Sequence, residues 1–161
     1  MLLRLAVPAD IPQIAALERS PVASEFVGQW SEERHHATLA SADARYFVAD
    51  GPDGSLSAFA ILRGLQETSG SIELKRIVIA MPGRGLGRRI LLELLDIAFQ
   101  QFGAHRLFLD VFEDNPRALY VYRSLGFVHE GTMREAARRG STFASLHLMS
   151  LLDREYAARP R

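Results

Sequence analysis

The segment MPGRGLGRR (residues 81–89) combines two residue types that commonly hold a phosphate group. It carries glycines at 83, 85 and 87 and arginines at 84, 88 and 89. Glycines let a backbone wrap closely around a ligand, and arginines donate paired hydrogen bonds to phosphate oxygens. The segment also lies between an apolar run and an amphipathic one, so its N–H groups begin a predicted helix, where the helix dipole favours an anion. This pattern is typical of a loop that binds a pyrophosphate.

Two well-known phosphate loops do not fit the spacing of these glycines. The dinucleotide fingerprint G-x-G-x-x-G needs a third glycine where the chain has Arg88, counted from Gly83, or Ile90, counted from Gly85. The P-loop ends in Gly-Lys-Ser or Gly-Lys-Thr, and neither tripeptide occurs in the sequence. Taken alone, the loop fits equally well with a helix start whose arginines are simply solvated.

A second pattern lies in the segment DVFEDNPRALYVYRSLGF (residues 110–127), which contains N-x-x-A-x-x-x-Y-x-x-x-G-F. In a helix that begins at Asn115, Ala118 and Tyr122 are four residues apart and share one face. That face would present a small residue and a phenol beside the preceding strand. Each residue also has a purely structural interpretation: Asn115 as helix cap, Tyr122 as core aromatic and Gly126 as C-terminal cap. Together with the glycine loop, these features indicate a functional site and not three unrelated structural roles.

With both motifs in place, the sequence resembles the GCN5-related N-acetyltransferase (GNAT) family over nearly its whole length. IELKRIVIAMPGRGLGRRIL is similar to the family's acetyl-CoA motif, on the fourth strand and the helix after it. NPRALYVYRSLGF is similar to the second motif. HEGTMREA and LHLMSLLDREY loosely resemble the subgroup of ribosomal-protein and polyamine acetyltransferases.

The resemblance implies transfer of an acetyl group from acetyl-CoA to a primary amine, by direct attack in a ternary complex. Tyr122 matches the family's general acid, and a phenol of pKa about 10 suits a leaving thiolate of about 8.5 or higher. A backbone N–H between Ile77 and Ile79 would polarise the thioester carbonyl, where the fourth strand separates from the fifth. The residues expected to contact acetyl-CoA are Ile77, Val78, Ile79, Gly83, Arg84, Gly85, Leu86, Gly87, Arg88 and Asn115.

The attacking amine needs a proton acceptor, and we predict Glu73 as the general base or, in its place, a chain of water molecules. Glu73 lies two residues before Lys75 and four before Ile77, so strand alternation predicts that all three side chains face one side. An equally good interpretation makes Glu73 a strand residue that pairs with an arginine. No histidine falls in a metal-binding spacing such as H-E-x-x-H, and we expect no metal.

The chain departs from the family pattern at two positions. Pro82 stands where the family loop usually has Arg or Gln, so phosphate contacts fall to backbone amides and to the arginines at 84, 88 and 89. Ser145 stands where relatives in the subgroup often have an aspartate, four residues before the last strand's methionine. The first departure alters the phosphate loop, and the second bears on recognition of the acceptor.

The pattern of apolar residues predicts an α+β fold, with a mixed, mostly antiparallel sheet flanked by helices and central strands each followed by a helix. Ser31, Glu32 and Glu33 indicate a helix start, and Asp10 with Gln13 indicates another. GPDG (residues 51–54) predicts a hairpin turn, and an apolar stripe runs through a helix from Leu86 to residue 102. The 161 residues suit one domain, residues 1–161.

Composition limits the possible partners. Lysine plus arginine and aspartate plus glutamate are both 19, so the formal net charge is zero and bulk attraction to nucleic acid or to an anionic membrane is not expected. The chain has no cysteine and no recognisable signal peptide, and we expect a cytoplasmic protein. Dimerisation is common in the family, and a homodimer is expected from the resemblance alone.

The identity of the acceptor stays open at this point. Protein N-termini, polyamines, amino sugars and drug-like amines are all compatible with the sequence. Phe26 and Trp30 lie in the segment that sets specificity in this fold, as a pocket wall or as a small satellite core, of which we favour the core. The alternative to an enzyme is a degenerate module that binds acyl-CoA without turnover, and the presence of Tyr122, Asn115 and the loop glycines argues against it.

Overall fold

A computed structural model describes residues 1–160 and contains one seven-stranded sheet with helices on both faces. The strands β1 to β7 span Leu3–Leu5, Ala44–Asp50, Leu56–Arg63, Ser71–Ile79, Arg106–Phe112, Val128–Arg139 and Thr142–Leu152. The helices α1 to α5 span Ile11–Glu18, Glu32–Leu39, Leu86–Asp96, Pro116–Ser124 and Asp153–Ala157. The strand order is β1-β2-β3-β4-β5-β7-β6, and every neighbouring pair is antiparallel except β4 with β5. The predicted α+β fold is confirmed.

The single parallel pair is also incomplete. β4 and β5 are paired only from Ser71↔Arg106 to Glu73↔Phe108, although β4 continues to Ile79 and β5 to Phe112. The outer edges of both strands remain covered, by β3 and by β7 respectively. Beyond Glu73 the two strands therefore enclose a gap in the middle of the sheet, with unpaired backbone groups along both sides.

The two faces of the sheet have separate cores. The α3 and α4 face packs the larger cluster, which includes Ala58, Ala60, Leu62, Ile72, Leu74, Leu94, Leu107, Leu109 and Tyr122. The α1 and α2 face packs Ile11, Ile14, Trp30, Tyr46, Val48, Phe59, Ile61 and Val78. The helices that follow β4 and β5 thus lie on the opposite face of the gap from the segment that joins α1 to α2.

A β-bulge in β4 changes which side chains share a face. Ile61 of β3 is opposite Arg76, but the next residue, Leu62, is opposite Leu74, so Lys75 is the extra residue. Before the bulge, the even-numbered side chains of β4 face α3 and α4; after it, the odd-numbered ones do. The prediction that Glu73 and Ile77 face one side is therefore wrong, because the bulge places them on opposite faces.

A buried polar network joins α1, α2, β2 and β4 on the α1 and α2 face. The Glu18 and His35 side chains are fully buried, and Glu18 accepts a hydrogen bond from the His35 ring. His35 Nδ1 lies 2.7 Å from the Tyr46 hydroxyl oxygen, and Arg76 Nε lies 3.4 Å from Glu18 Oε2. The Arg76 guanidinium also stacks over Trp30, at 4.8 Å from its ring centroid. Every member of this network thus has a partner, as a polar group in a core requires.

Several local predictions are confirmed and others change. Ser31 caps α2 by accepting a hydrogen bond from the Arg34 N–H at 3.1 Å. Asp10, predicted to cap α1 with its side chain, instead forms an ion pair with Arg4 at 3.0 Å. The helix from Leu86 continues past Asp96 as a π-helical turn, Ile97–Gln101, and α5 was not predicted. None of the helices in residues 1–160 is both long and apolar enough to cross a bilayer.

We predict that Glu18→Gln lowers the free energy of unfolding by about 3 kcal/mol, because it removes the negative charge that compensates the buried Arg76. Glu33→Gln, on the exposed side of α2, is the matched control and is expected to change stability by no more than about 0.5 kcal/mol. Urea unfolding followed by circular dichroism measures both. Equal effects of the two substitutions would show that the buried pair has no special role in stability.

Candidate active site

The gap between β4 and β5 contains backbone donors that the sheet leaves free. The Ala80 N–H donates to the Ser57 carbonyl at 2.8 Å, so it points toward β3. Because N–H directions alternate along a strand, the Val78 N–H also points toward β3, whereas those of Ile77 and Ile79 point into the gap. Of the three residues predicted to polarise a carbonyl, Ile77 and Ile79 thus have their N–H groups in position to do so.

The glycine loop has the backbone shape of an anion cradle. Gly83 and Gly85 adopt left-handed conformations, with φ of 90° and 77°, and Gly85 is the N-cap of α3. A Cβ added at either glycine would meet no atom within 4 Å, so the space above the loop is open. The first N–H groups of α3 have no acceptor within the helix, as at any helix start. This arrangement fits a pyrophosphate bound by backbone amides.

The loop arginines divide into two groups. The side chains of Arg84 and Arg89 are exposed beside the loop. Arg88 instead donates from Nη1 to Ser124 Oγ at 2.6 Å, which ties the start of α3 to the end of α4. Arg88 can therefore contribute its backbone N–H to an anion while its side chain links the two helices.

Tyr122 lies in the core on the α3 and α4 face. Its side chain is 7% exposed and packs edge-to-face against Phe127, with ring centroids 5.6 Å apart. Ile77, Ile79 and Leu86 pack against the same large cluster, so Tyr122 shares one core with the end of β4 and the start of α3. Burial first, and then the charge of Asp110, raises the pKa of Tyr122 above its usual value near 10. A phenol with a raised pKa stays protonated and can act as a proton donor.

Asn115 has a clear structural role at the start of α4. Its Oδ1 accepts a hydrogen bond from the Ala118 N–H at 3.3 Å, which caps the helix. The side-chain NH₂ of Asn115 is not used by this cap. A contact from Asn115 to the cofactor therefore stays a prediction beside the observed capping role.

Glu73 lies apart from these groups. It is the last residue of β4 that pairs with β5, so it stands at the closed end of the gap. Its Oε2 accepts a hydrogen bond from Arg63 Nε at 2.6 Å, and its side chain is 15% exposed. The ion pair with an arginine, considered above as the alternative to catalysis, is thus present. The role of Glu73 as general base stays a prediction that its position does not favour.

Asp110 is the carboxylate that sequence reasoning missed. It lies on β5 beyond the last β4 pair, is exposed, and its charge influences the pKa values of both Tyr122 and Lys75. It stands two residues beyond Phe108, the last residue of β5 that pairs with β4, so its backbone borders the gap. A signal was present in the sequence: a charged residue between buried Leu109 and Val111, directly before the second motif.

On the α1 and α2 face, the segment that joins these two helices packs against the end of β5. Phe26 packs edge-to-face on Phe112 at the end of β5, with centroids 6.4 Å apart. The Arg139 guanidinium lies 4.4 Å from the Phe112 centroid and forms two hydrogen bonds to Asp114, at 2.7 and 3.1 Å. Trp30 is 7% exposed and belongs to the core, as favoured from the sequence. Within residues 1–160, no group of three or more His, Asp and Glu side chains is placed to hold a metal ion.

Comparison with known proteins identifies this architecture. Residues 14–127 match the model of the acetyltransferase (GNAT) family. The chain is 37% identical over 135 residues to N-alpha-acetyltransferase RimI of Mycobacterium tuberculosis, covering 81% of this chain and 80% of the relative. It is 27% identical over 130 residues to spermidine N(1)-acetyltransferase of Vibrio cholerae, covering 80% and 75% of the two chains.

The fold agrees with a solved structure over almost the full length of both chains. Spermidine N-acetyltransferase from Vibrio cholerae, in complex with CoA and spermine, superposes with a TM-score of 0.85 and covers 96% of each chain at 24% identity. The family model matches most of the chain, and the sheet, the gap and the two motifs agree with it. The chain belongs to the GNAT family of acetyl-CoA-dependent N-acetyltransferases and transfers an acetyl group to an amine.

Proposed function

We propose that this enzyme acetylates a primary amine, carried by a small molecule or by a polypeptide N-terminus, inside the gap between β4 and β5. The observation that supports the proposal is the set of backbone and side-chain groups at that gap. The N–H groups of Ile77 and Ile79 point into it, Tyr122 belongs to the core against which both residues pack, and Asp110 stands on the opposite strand. An acyl transfer to an amine needs these three functions: an oxyanion donor, an acid and a base.

The glycine loop is proposed to hold acetyl-CoA by its pyrophosphate. Backbone amides at the start of α3 meet an anion with no rearrangement, and the exposed arginines add charge at its edge. The bound cofactor supplies a thioester as acyl donor. The residues proposed to contact it are Ile77, Val78, Ile79, Gly83, Arg84, Gly85, Leu86, Gly87, Arg88 and Asn115.

Asp110 is proposed to receive the amine. An alkyl ammonium has a pKa near 10.4, so a carboxylate both attracts it and accepts its proton, directly or through water. The nitrogen then forms a bond to the acetyl carbon, and the Ile77 or Ile79 N–H donates to the carbonyl oxygen as that oxygen gains negative charge. The carbon–sulfur bond breaks, and Tyr122 gives its proton to the departing thiolate. The nitrogen loses its second proton as the amide forms, and a proton from water restores the Tyr122 phenol.

Glu73 is the second candidate for the base. It is ion-paired with Arg63 and stands at the closed end of the gap, where an acceptor has less access than at Asp110. The exposure of Asp110 and its place on β5 beyond the last residue that pairs with β4 support the assignment to Asp110. The homodimer implied by the family resemblance stays a prediction.

Tyr122→Phe is expected to lower kcat by about 10²-fold or more, with the KM for acetyl-CoA changed by less than about threefold, because only the proton donor is lost. CoA release with an accepted amine measures both constants. Tyr120→Phe is the matched control, since Tyr120 lies on the same helix and is 75% exposed. Equal kcat values for wild type and Tyr122→Phe would exclude the phenol as general acid.

The pH dependence of kcat follows from the raised pKa of Tyr122. An acid must be protonated to act, so a pKa raised above the usual value of about 10 keeps the donor active throughout the neutral and moderately alkaline range. We expect no alkaline decline of kcat below about pH 10. The measurement is kcat at saturating substrates, with circular dichroism at each pH to verify folding. A decline centred near pH 8 that disappears in Tyr122→Phe would contradict the raised pKa.

Asp110→Asn and Glu73→Gln separate the two candidate bases. Asp110→Asn is expected to lower kcat/KM for the amine by about 10²-fold, because a carboxamide neither attracts the ammonium nor accepts its proton. Glu73→Gln is expected to lower the same constant by less than about fivefold, with a loss of stability from the unpaired Arg63. The reverse order of effects would assign the base to Glu73.

A further inference from the structure

Lys75 stands at the edge of the gap, two residues beyond Glu73, the last residue of β4 that pairs with β5. It is half-buried, and among residues 1–160 no carboxylate lies within ion-pair distance of it. It is also the only lysine in the chain, in which the other 18 basic side chains are arginines. A half-buried charge with no partner costs free energy, so a ligand that supplies the opposite charge would be bound favourably.

The bulge determines where Lys75 stands. As the extra residue of β4, it is held on the α1 and α2 face together with Arg76. Arg76 donates from Nη1 to the Lys75 carbonyl at 3.1 Å, and its own guanidinium is compensated by Glu18. Gly28 permits this packing, since a Cβ there would come within 2.5 Å of Arg76 Nη2. The carbonyl of Lys75 thus accepts a hydrogen bond from Arg76, whereas its ammonium group forms no ion pair within residues 1–160.

The charged side chains around Lys75 differ in whether they already have a partner. Burial first, and then the charges of Arg76 and Arg63, lower the pKa of Lys75, whereas Glu73 and Asp110 act in the opposite direction. The Glu73 carboxylate is held by Arg63 at 2.6 Å. Lys75 stands two residues beyond Glu73 on β4, and Asp110 stands two residues beyond Phe108 on β5, so both follow the last pair of these strands. Within residues 1–160, Asp110 forms no ion pair and is the carboxylate on the opposite strand that a ligand near Lys75 could use.

We propose that the acceptor is a zwitterion, an amino-acid-like molecule whose amine is received by Asp110 and whose carboxylate is bound by Lys75. This inference rests on the proposed function and narrows its substrate class. An unpaired cation on β4 and an unpaired anion on β5 match one negative and one positive charge on the same small molecule. A polyamine brings several positive charges to a face that already contains Lys75 and Arg76. A peptide N-terminus presents an amide where Lys75 offers an ammonium.

The test compares each L-amino acid, and also β-alanine, with its own primary amide as acceptor. These pairs keep the amine and side chain and differ in the carboxylate. For the best acceptor, we expect kcat/KM to favour the carboxylate form by about tenfold or more, as a charge-assisted hydrogen bond implies. Lys75→Gln is expected to reduce this preference by about tenfold, and Lys75→Arg to retain most of it. The KM for acetyl-CoA should be the same in all variants, because the residues proposed to contact the cofactor are unchanged.

Arg138→Gln, on the exposed part of the β6–β7 hairpin, is the control for loss of a positive charge and should leave the preference unchanged. Spermidine and a tripeptide with a free N-terminus complete the acceptor panel. Faster acetylation of either than of any amino acid would overturn the zwitterion assignment while leaving the proposed function intact. An equal loss with acid and amide in Lys75→Gln would assign Lys75 a merely structural role. Failure of every amine in the panel, despite acetyl-CoA binding shown by a thermal shift, would reject both proposals.

Discussion

The loss of pairing between β4 and β5 after Glu73 is the constraint on which the site depends. Hydrogen bonds continue along the outer edges of both strands, so the sheet stays intact while its middle opens. Unpaired N–H groups inside a protein are costly unless a ligand or water satisfies them, and the Ile77 and Ile79 amides are in this position. The proposed oxyanion site therefore needs no special side chain: it follows from strands that diverge. The same divergence gives α3 and α4 room to begin beside the gap.

The bulge at Lys75 determines how the two faces of this gap differ. With strict alternation, Ile77 would share a face with Glu73, and the segment between α1 and α2 would meet an apolar strand end. The extra residue instead directs Ile77 and Ile79 toward Tyr122 and directs Lys75 and Arg76 toward α1 and α2. A bulged strand loses ladder hydrogen bonds, and this one is supported by the Arg76 contacts with the Lys75 carbonyl and with buried Glu18. Stability and site geometry thus share the same few residues.

Much of this arrangement could be predicted from the sequence, for physical reasons. Helices and strands followed the apolar periodicity, Ser31 capped α2, and the two motifs marked the start of α3 and α4. What could not be predicted depended on contacts between distant residues. The bulge is set by the register of β4 against β3 and leaves no local signal around Lys75. Without the bulge, Glu73 was predicted to share a face with Ile77. Asp110 becomes distinctive only when its partner strand is known to diverge. The local sequence around Asp10 resembles a helix cap, but the Asp10 carboxylate forms an ion pair with Arg4 instead.

Pro82 shows how a departure from the family pattern can be absorbed by the backbone. A side-chain donor is missing at that position, and Arg88 does not replace it, because its guanidinium is bound to Ser124 on α4. The glycines at 83 and 85 compensate in another way. Both adopt left-handed conformations beside open space, and a Cβ at either position would require a strained backbone. Amides placed in this way are rigid and carry no titratable group, so the proposed grip on a pyrophosphate would not change with pH. The contact between Arg88 and Ser124 adds a consequence: the helix that begins this cradle is tied to the helix that carries Tyr122, so the proposed anion site and the proposed acid are held as one unit.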